Sequence, residues 1–280
     1  MIKLLLTFLF LIFWTSSFCA IPAFGKFSVA SDHASLEKSD RETSKLTLSG
    51  NVEIVQEGTG KLQAAEDVHL ILNIVEGKKE LHSIDTNGEA VLTYIDPETE
   101  LEHILRSYGT LRIDHQKMEA RLQGPRNEDG AVVDGKQVFF KDAKGEIRAD
   151  RGMIKYDYAG QRMILVRIVL QGNVKLADVL EQTEGSQAKT NQYILADRVD
   201  FIPETKEMIF KADQGRRVLL FDKENHLEVS ASMLKLFRDK ATRKETVQGM
   251  GDVRFSFVDG ELDQLRRHFS FDKTGSEVNK

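Results

Sequence analysis

Apolar and polar residues alternate along much of the chain after residue 44. Between Lys45 and Val55, four apolar residues fall on one face of an extended strand: Leu46, Leu48, Val52 and Ile54. The polar residues of the same segment share the other face. Alternation with a period of two is typical of a β-strand with one buried face. The pattern therefore predicts antiparallel sheet with one apolar face and one wet face.

The longest alternating segment begins at Ile164. Its predicted apolar face consists of six residues: Ile164, Val166, Ile168, Leu170, Val174 and Leu176. Leu165 and Val169 interrupt the alternation. A segment near the C-terminus repeats the scheme with four residues on one face: Val247, Val253, Phe255 and Phe257. Both segments are predicted to be strands whose apolar faces point inward.

Three short phrases recur within these segments. They are LSGNVEI from Leu48, LQGNVKL from Leu170 and QGMGDVRFSF from Gln248. Each places a glycine beside Asn or Asp, which predicts an edge or kink residue where a strand opens. A second phrase, Ala-Asp-Arg followed by a strand with aromatic residues, occurs at Ala149 and Ala196. Segments rich in turn formers connect the copies, so the repeats predict a long meander of short strands.

The first 23 residues differ from the rest of the chain. Lys3 precedes the apolar segment Leu4–Trp14, and small or polar residues follow as far as Ala20. This order is typical of a cleavable secretory signal, with cleavage expected after Cys19 or Ala20. The alternative is an uncleaved anchor helix, because the apolar character extends through Ala23 to about the length that a bilayer needs.

Composition limits the classes of function. The chain has 280 residues, 39 basic and 44 acidic side chains and a net charge of -5. Removal of Lys3 with the signal leaves 38 basic residues against 44, a net charge of -6. An acidic surface disfavours nucleic acid as a partner. The predicted organisation is a signal or anchor over 1–23, a polar linker over 24–44, one β domain over 45–271 and a flexible tail over 272–280.

No pattern of residues in the sequence indicates catalysis or metal binding. The seven histidines are scattered without metal-ligand spacing, and we interpret them as surface or strand-face residues. Neighbouring carboxylates such as Glu66 and Asp67 point to opposite faces of a strand. We therefore expect no enzyme activity, no metal and no cofactor. The basic clusters Arg216–Arg217 and Arg266–His268 fit either a phosphate site or a solvated turn.

The export signal, the repeated Gly-Asn-Val phrases and the Ala-Asp partners resemble the periplasmic lipopolysaccharide-transport family of LptA, LptC and the OstA-type domain of LptD. The resemblance extends from about Leu46 to Phe271, through short and degenerate motifs. It implies an all-β fold, an open and V-shaped antiparallel β-jellyroll around an apolar groove. This chain is longer than the usual single jellyroll of that family, with extra strands between Leu81 and Val138 that either lengthen one sheet or form a second lobe.

The resemblance also implies a function. It predicts a periplasmic protein that binds lipopolysaccharide by its lipid A chains, stacks head to tail through edge strands, and contacts other jellyroll components of an export bridge. The alternatives are a membrane-anchored adaptor of that system and an exported structural β protein with a solid core. The candidate groove residues are Ile154, Tyr156, Ile164, Val166, Ile168, Leu170, Val174, Leu176, Val199, Phe201, Phe210, Val253, Phe255 and Phe257.

Overall fold

The structure is a computed structural model of the chain. It describes residues 27–38, 42–56, 60–75, 78–95, 102–141, 145–159, 162–179, 190–223, 226–238, 245–258 and 260–269. The predicted signal over 1–23 and the predicted tail over 272–280 lie outside the described residues. The described part of the chain contains no helix with the length and apolar character needed to cross a membrane.

The chain divides into two compact units. The first comprises Met1–Ala143 and Asp150–Ile168, and the second comprises Lys144–Ala149 and Val169–Lys280. The predicted β domain over 45–271 therefore contains parts of both units. The segment 81–138, for which a second lobe was one alternative, belongs entirely to the first unit.

Most of the described residues belong to β-strands. Strands β1 to β12 are Phe27–Ala30, His33–Lys38, Thr43–Ser49, Val52–Gln56, Gly60–Ala64, Val68–Val75, Lys78–Asn87, Ala90–Ile95, Glu102–Ser107, Thr110–Asp114, Glu119–Gln123 and Val138–Lys141. Strands β13 to β21 are Gly145–Ala149, Arg151–Ala159, Arg162–Val179, Thr190–Ile202, Glu207–Lys211, Val218–Asp222, Leu227–Ala231, Met233–Arg238 and Glu245–Met250. One helix, α1, covers Glu261–His268.

In the first unit the strands form two antiparallel ladders. Ladder I has the order β1, β4, β5, β8, β9 and β12. Ladder II has the order β2, β3, β6, β7, β10, β11 and β14. Successive hairpins belong to ladder II and ladder I in turn, so the chain passes repeatedly from one ladder to the other. The prediction of an all-β, antiparallel jellyroll-type fold is confirmed.

The repeated Gly-Asn and Gly-Asp phrases have one local conformation. Gly50 and Asn51 have φ of 75° and 44°, and the pairs Gly172–Asn173 and Gly251–Asp252 have the same two positive φ angles within a few degrees. Glycine, asparagine and aspartate adopt this left-handed region most easily. At Gly50 the pair forms the corner between β3 of ladder II and β4 of ladder I. The sequence repeat is thus a repeated local conformation, which follows the end of a strand at Gly50 and Gly251 and lies within β15 at Gly172.

The second unit has two groups of paired strands. Strand β15 pairs with β13, and β16 pairs with β18 through Gln192–Leu195 and with β17 through Arg198–Ile202. Strand β19 pairs with β18. Strand β20 pairs with β17 on one side and with β21 on the other. The Ala-Asp phrase at Ala196–Asp197 lies where β16 changes partner. It therefore marks the point at which one long strand serves two ladders.

Helix α1 is a feature that the sequence analysis did not predict. Its Leu265 has 0% exposure and packs against Leu195 and Leu219 of the second unit. The preceding strand was also predicted to be longer than it is. Strand β21 ends at Met250 because the corner at Gly251 and Asp252 turns the chain away from the ladder. Beyond that corner Arg254 alone forms an isolated bridge, to Ser230.

The segment predicted to be a polar linker is folded at residues 27–38. It forms β1 and β2, and β2 pairs with β3 along its whole length. All six residues of β2 are exposed. The polar composition of this segment therefore belongs to an edge strand with both faces exposed to solvent. Charged residues commonly protect the edge of a sheet from pairing with another chain. The linker interpretation is wrong for these residues.

Candidate functional site

The first unit contains an apolar cavity of ≈ 80 Å³. Ladder I contributes one row of aligned residues from four neighbouring strands: Ile54, Leu62, Leu92 and Leu105. Ladder II contributes a second row from β7, β10, β11 and β14: Ile84, Ile113, Ala120 and Ile154. Because both rows line the same cavity, the two ladders face each other across it.

Period-two alternation explains why these residues point inward. In β5, Leu62 is 3% exposed, whereas its neighbour Gln63 is exposed and bonds Glu53 on the outer surface. Lys61 also lines the cavity, but by the same alternation its side chain lies on the outer face, where its ammonium is 3.5 Å from the Glu53 carboxylate. The two aligned rows therefore present aliphatic side chains to the cavity, and the charged groups of β5 lie on the outer surface.

One polar pair lies within the cavity wall. The Tyr156 hydroxyl and His115 Nδ1 share a hydrogen bond of 2.9 Å. Burial lowers the pKa of His115 to about 4, with Asp114 opposing the shift and His82 adding to it. Burial also raises the pKa of Tyr156 well above its usual value. Both side chains are consequently neutral at ordinary pH, and the pair adds hydrogen-bonding capacity to the wall without adding charge.

Aromatic rings line the two sides of the cavity. Tyr94 of ladder I donates its hydroxyl hydrogen to the Met163 carbonyl at 3.2 Å and stacks on His103, with ring centroids 6.0 Å apart. Tyr156 of ladder II meets Tyr158 edge to face at 5.9 Å. These contacts hold the rings in fixed orientations, so the cavity has rigid aromatic walls as well as aliphatic ones.

The structure brings two of the predicted groove residues into this cavity, Ile154 and Tyr156. Six others are buried elsewhere: Ile168, Leu170, Val174, Leu176, Val199 and Phe210. Phe201, Val253 and Phe257 are half-buried, and Phe257 packs against the cluster around Leu265. The remaining three are exposed: Ile164 at 38%, Val166 at 46% and Phe255 at 76%.

The predicted inward face of β15 is wrong at its N-terminal end. Met163 and Leu165 line the cavity there, so the odd-numbered positions point inward and Ile164 and Val166 point out. Further along β15 the even-numbered residues Ile168, Leu170, Val174 and Leu176 are buried, together with Val169. The inward face changes parity between these segments, which a single alternation from Ile164 does not describe. Phe255 is exposed because the strand that would have carried it ends at Met250.

Sequence reasoning missed most of the cavity wall. Ile84, Ile113 and His115 come from the segment of extra strands between Leu81 and Val138, which was not considered for the groove. Alternation in TLRIDH does predict that Leu111 and Ile113 share a face. His115 was interpreted as a surface or strand-face residue, but it is 7% exposed. Its partner Tyr156 lies 41 residues further along the chain. Only the pairing of β11 with β14 brings the two side chains together.

Among the described residues, no group of three or more His, Cys, Asp or Glu side chains is arranged to hold a metal ion. No protein-family model matches the chain. No curated protein matches it either.

A solved structure resembles part of the chain. It is described as LptH of Pseudomonas aeruginosa, the LptA-homologous periplasmic component of a lipopolysaccharide transport device. The two share 13% sequence identity, and the match covers 51% of this chain and 82% of that one, with a TM-score of 0.33. At this level of superposition, the fold assignment rests on the strand pairings themselves.

Proposed function

We propose that this chain is a periplasmic lipopolysaccharide-binding transport protein, which shelters lipid acyl chains in the cavity of its first unit and assembles through edge strands. The observation that carries the proposal is the cavity itself, since aligned apolar rows of two facing ladders line it. The residue order in 1–23, typical of an export signal, supports the periplasmic location.

The size of the cavity defines how an acyl chain would bind. An engineered apolar cavity of about 150 Å³ stays dry and accepts benzene. The present cavity, ≈ 80 Å³, is about half as large and accommodates only the end of an acyl chain. Deeper insertion requires the two ladders to separate, which exposes more of the apolar rows to the ligand. Each Å² of apolar surface so covered contributes about 25 cal/mol.

The neutral polar groups favour an uncharged ligand segment. His115 and Tyr156 remain uncharged, and the charged head of Lys61 is held outside by Glu53. A free fatty-acid carboxylate would find no counter-charge among the described wall residues, and its burial as an ion would be unfavourable. A hydrocarbon chain carries no such penalty. The chemistry therefore supports acyl chains that belong to a larger lipid whose charged part stays outside.

The assembly part of the proposal rests on β2. This strand is exposed at every position, and it pairs with β3 as its one partner strand among the described residues. Its other edge is thus a template to which another protomer or a related jellyroll can add a strand. A contact of this kind between unlike edges propagates head to tail.

Site-specific photo-crosslinking tests the lipid site with a matched pair of probes. A photoreactive amino acid at Leu165, which lines the cavity, is expected to capture lipopolysaccharide in cells that export the chain. The same probe at Val166, 46% exposed on the same strand, is expected to capture much less. Equal capture at both positions, or none at Leu165, contradicts the acyl site and favours an exported structural protein with a solid core.

A further inference from the structure

Basic residues from separate parts of the sequence meet in a small pocket of the second unit. The pocket has a volume of ≈ 20 Å³, and its wall includes Lys175 and Asn173 from β15, Arg216 and Arg217 from the segment before β18, and His268 from the end of α1. Arg216–Arg217 and Arg266–His268 are the two basic clusters that the sequence left open between a phosphate site and a solvated turn. The fold places one member of the second cluster beside both members of the first.

The contacts of each cation decide what the pocket can bind. Arg217 is fixed in place, because its Nε donates to Ser230 Oγ at 2.5 Å and its Nη1 lies 2.6 Å from the Asp252 carboxylate. The Glu261 carboxylate lies 3.6 Å from the same Nε, so two neighbouring acids offset the charge of Arg217. Arg217 forms a rigid, oriented part of the wall, with 18% of its side chain exposed.

Arg216 and Lys175 keep donors for a ligand. Arg216 contacts Asp197 through Nη1 at 2.5 Å, and 51% of its side chain is exposed. Among the described residues no other side chain bonds its remaining guanidinium N–H groups. Lys175 is half-buried in β15. Among the described residues, no carboxylate lies within ion-pair distance of its ammonium. Both groups line the pocket, so their N–H groups are available to a ligand there.

The one acidic residue in the pocket wall is already saturated. Asp197 accepts the backbone N–H of Asp213 at 2.8 Å with one carboxylate oxygen and Arg216 with the other, and its side chain is 6% exposed. The wall carries three permanent cations, of which Arg216 pairs with Asp197, and Arg217 pairs with Asp252 and lies 3.6 Å from Glu261. Lys175 is the wall cation that no described carboxylate neutralises, so the positive charge open to an anion is centred on its ammonium.

We propose that this pocket binds a phosphate group, with Lys175 and Arg216 as the principal ligands and Arg217 as a fixed positive wall. Arginine offers several N–H donors in a planar array and lysine a compact point charge, and together they suit the tetrahedral oxygens of phosphate. The pocket's ≈ 20 Å³ is about the space of one water, so the phosphate would lie at its mouth, against the half-exposed guanidinium of Arg216. The phosphate can be free or can belong to a lipid headgroup.

Calorimetric titration of the purified chain with inorganic phosphate tests the site. Binding is expected, and Lys175→Gln is expected to weaken it about tenfold through loss of one charge-assisted contact. Lys175→Arg is expected to retain most of the affinity. The matched control is Lys45→Gln, which removes a half-buried strand lysine of the first unit and should leave binding unchanged.

A second pair of variants removes an arginine that is already paired with an aspartate. Arg216→Gln should weaken phosphate binding, whereas Arg112→Gln, which removes the partner of Asp85 at 3.4 Å, should not. Circular dichroism confirms that each variant is folded. Equal losses in Lys175→Gln and Lys45→Gln, or in both arginine variants, would show unspecific attraction and overturn the proposal.

Vesicles distinguish the two sources of phosphate. Phosphatidylcholine vesicles with and without phosphatidic acid are mixed with the wild-type chain and with Lys175→Gln. Retention that needs both phosphatidic acid and Lys175 identifies a lipid headgroup as the source. Binding of inorganic phosphate without such retention identifies the free ion. If neither probe binds in a way that depends on Lys175, the proposal is wrong, and the lipid cavity of the first unit is unaffected by that result.

Discussion

The hydroxyl oxygen of Tyr156 lies 2.9 Å from Nδ1 of His115, and the two residues come from strand segments 41 positions apart. The backbone N–H of Tyr156 also donates to the Met118 carbonyl at 3.1 Å, which holds β14 against the turn after β10. The side-chain hydrogen bond satisfies two polar atoms that an apolar cavity would otherwise leave without partners. Loss of either partner would cost the other its hydrogen bond, with a penalty of about 1–3 kcal/mol.

The buried histidine predicts a loss of stability in mild acid. Its folded-state pKa of about 4 lies below the unfolded value of 6.5, so the unfolded chain takes up the proton first as the pH falls. The free energy of unfolding therefore decreases between pH 6.5 and 4, by about 2 kcal/mol at about pH 5. Urea denaturation of the wild type and of His115→Gln at both ends of this window measures the difference.

The control for this prediction is His226→Gln, because His226 is exposed in a turn. His115→Gln should lose stability at neutral pH but show a flatter pH dependence, whereas His226→Gln should follow the wild type. Asp114 titrates nearby, and its hydrogen bond from Lys117 lowers its pKa, so its contribution is lost only in stronger acid. An unchanged pH profile in His115→Gln would contradict the assignment.

A side chain at Gly50 should lower the free energy of unfolding by more than backbone strain alone would. A Cβ atom at Gly50 would lie 2.6 Å from Asp32 Oδ2, the atom that accepts a hydrogen bond from Asn51 at 2.8 Å. Gly50→Ala should cost about 2 kcal/mol, of which about 1 comes from the positive φ. Gly130 has a similar positive φ, but an added methyl group there would meet nothing within 4 Å, so Gly130→Ala should cost about half as much. Thermal unfolding of both variants measures the two losses of stability. Equal losses would show that Asp32 does not constrain the corner.

The inward face of β15 changes between Val166 and Ile168, so a polar substitution should be tolerated at Val166 and not at Ile168. Val166→Thr should change the free energy of unfolding by about 0.5 kcal/mol or less, because that side chain is 46% exposed. Ile168→Thr should cost about 2 kcal/mol or more, because it places a hydroxyl at a position that is 2% exposed. Denaturant titration compares them directly. Similar costs at both positions would restore the single inward face that alternation predicts.

Alternation and the corner phrases are sufficient to predict an all-β antiparallel fold, since both are local properties of the sequence. They also identify Leu48, Val52 and Ile54 as buried, and these residues are 1%, 2% and 5% exposed, whereas Leu46 of the same predicted face is half-buried. The corner at Gly50 and Asn51 divides that predicted face between β3 and β4. The rows that line the cavity depend instead on which hairpin pairs with which. That information is long-range, because β5 pairs with β8 and β11 with β14 across intervening strands.

Local patterns fail where a backbone irregularity intervenes. The change of inward face before Ile168 reverses the burial of Ile164 and Val166, although their sequence environment resembles that of Leu170. A polar composition likewise does not separate a linker from an edge strand, as the six exposed residues of β2 demonstrate. Helix α1 escaped prediction because eight residues show little periodicity, and its stability comes from burial of Leu265 against distant strands.

The exposed edge strand leads to the last prediction, which concerns self-association. Leu36 of β2 is 53% exposed at the edge of ladder II, and a lysine there should oppose the addition of a strand from another protomer. Ile95 of β8 is equally exposed, at 54%, but β8 is an inner strand among the described residues, since it pairs with both β5 and β9. Sedimentation velocity over a range of concentrations should show larger species for the wild type and for Ile95→Lys, and about tenfold weaker association for Leu36→Lys. A wild type that stays monomeric at every concentration would contradict assembly through β2, and equal weakening by both lysines would show that general surface hydrophobicity, rather than the strand edge, drives the contact.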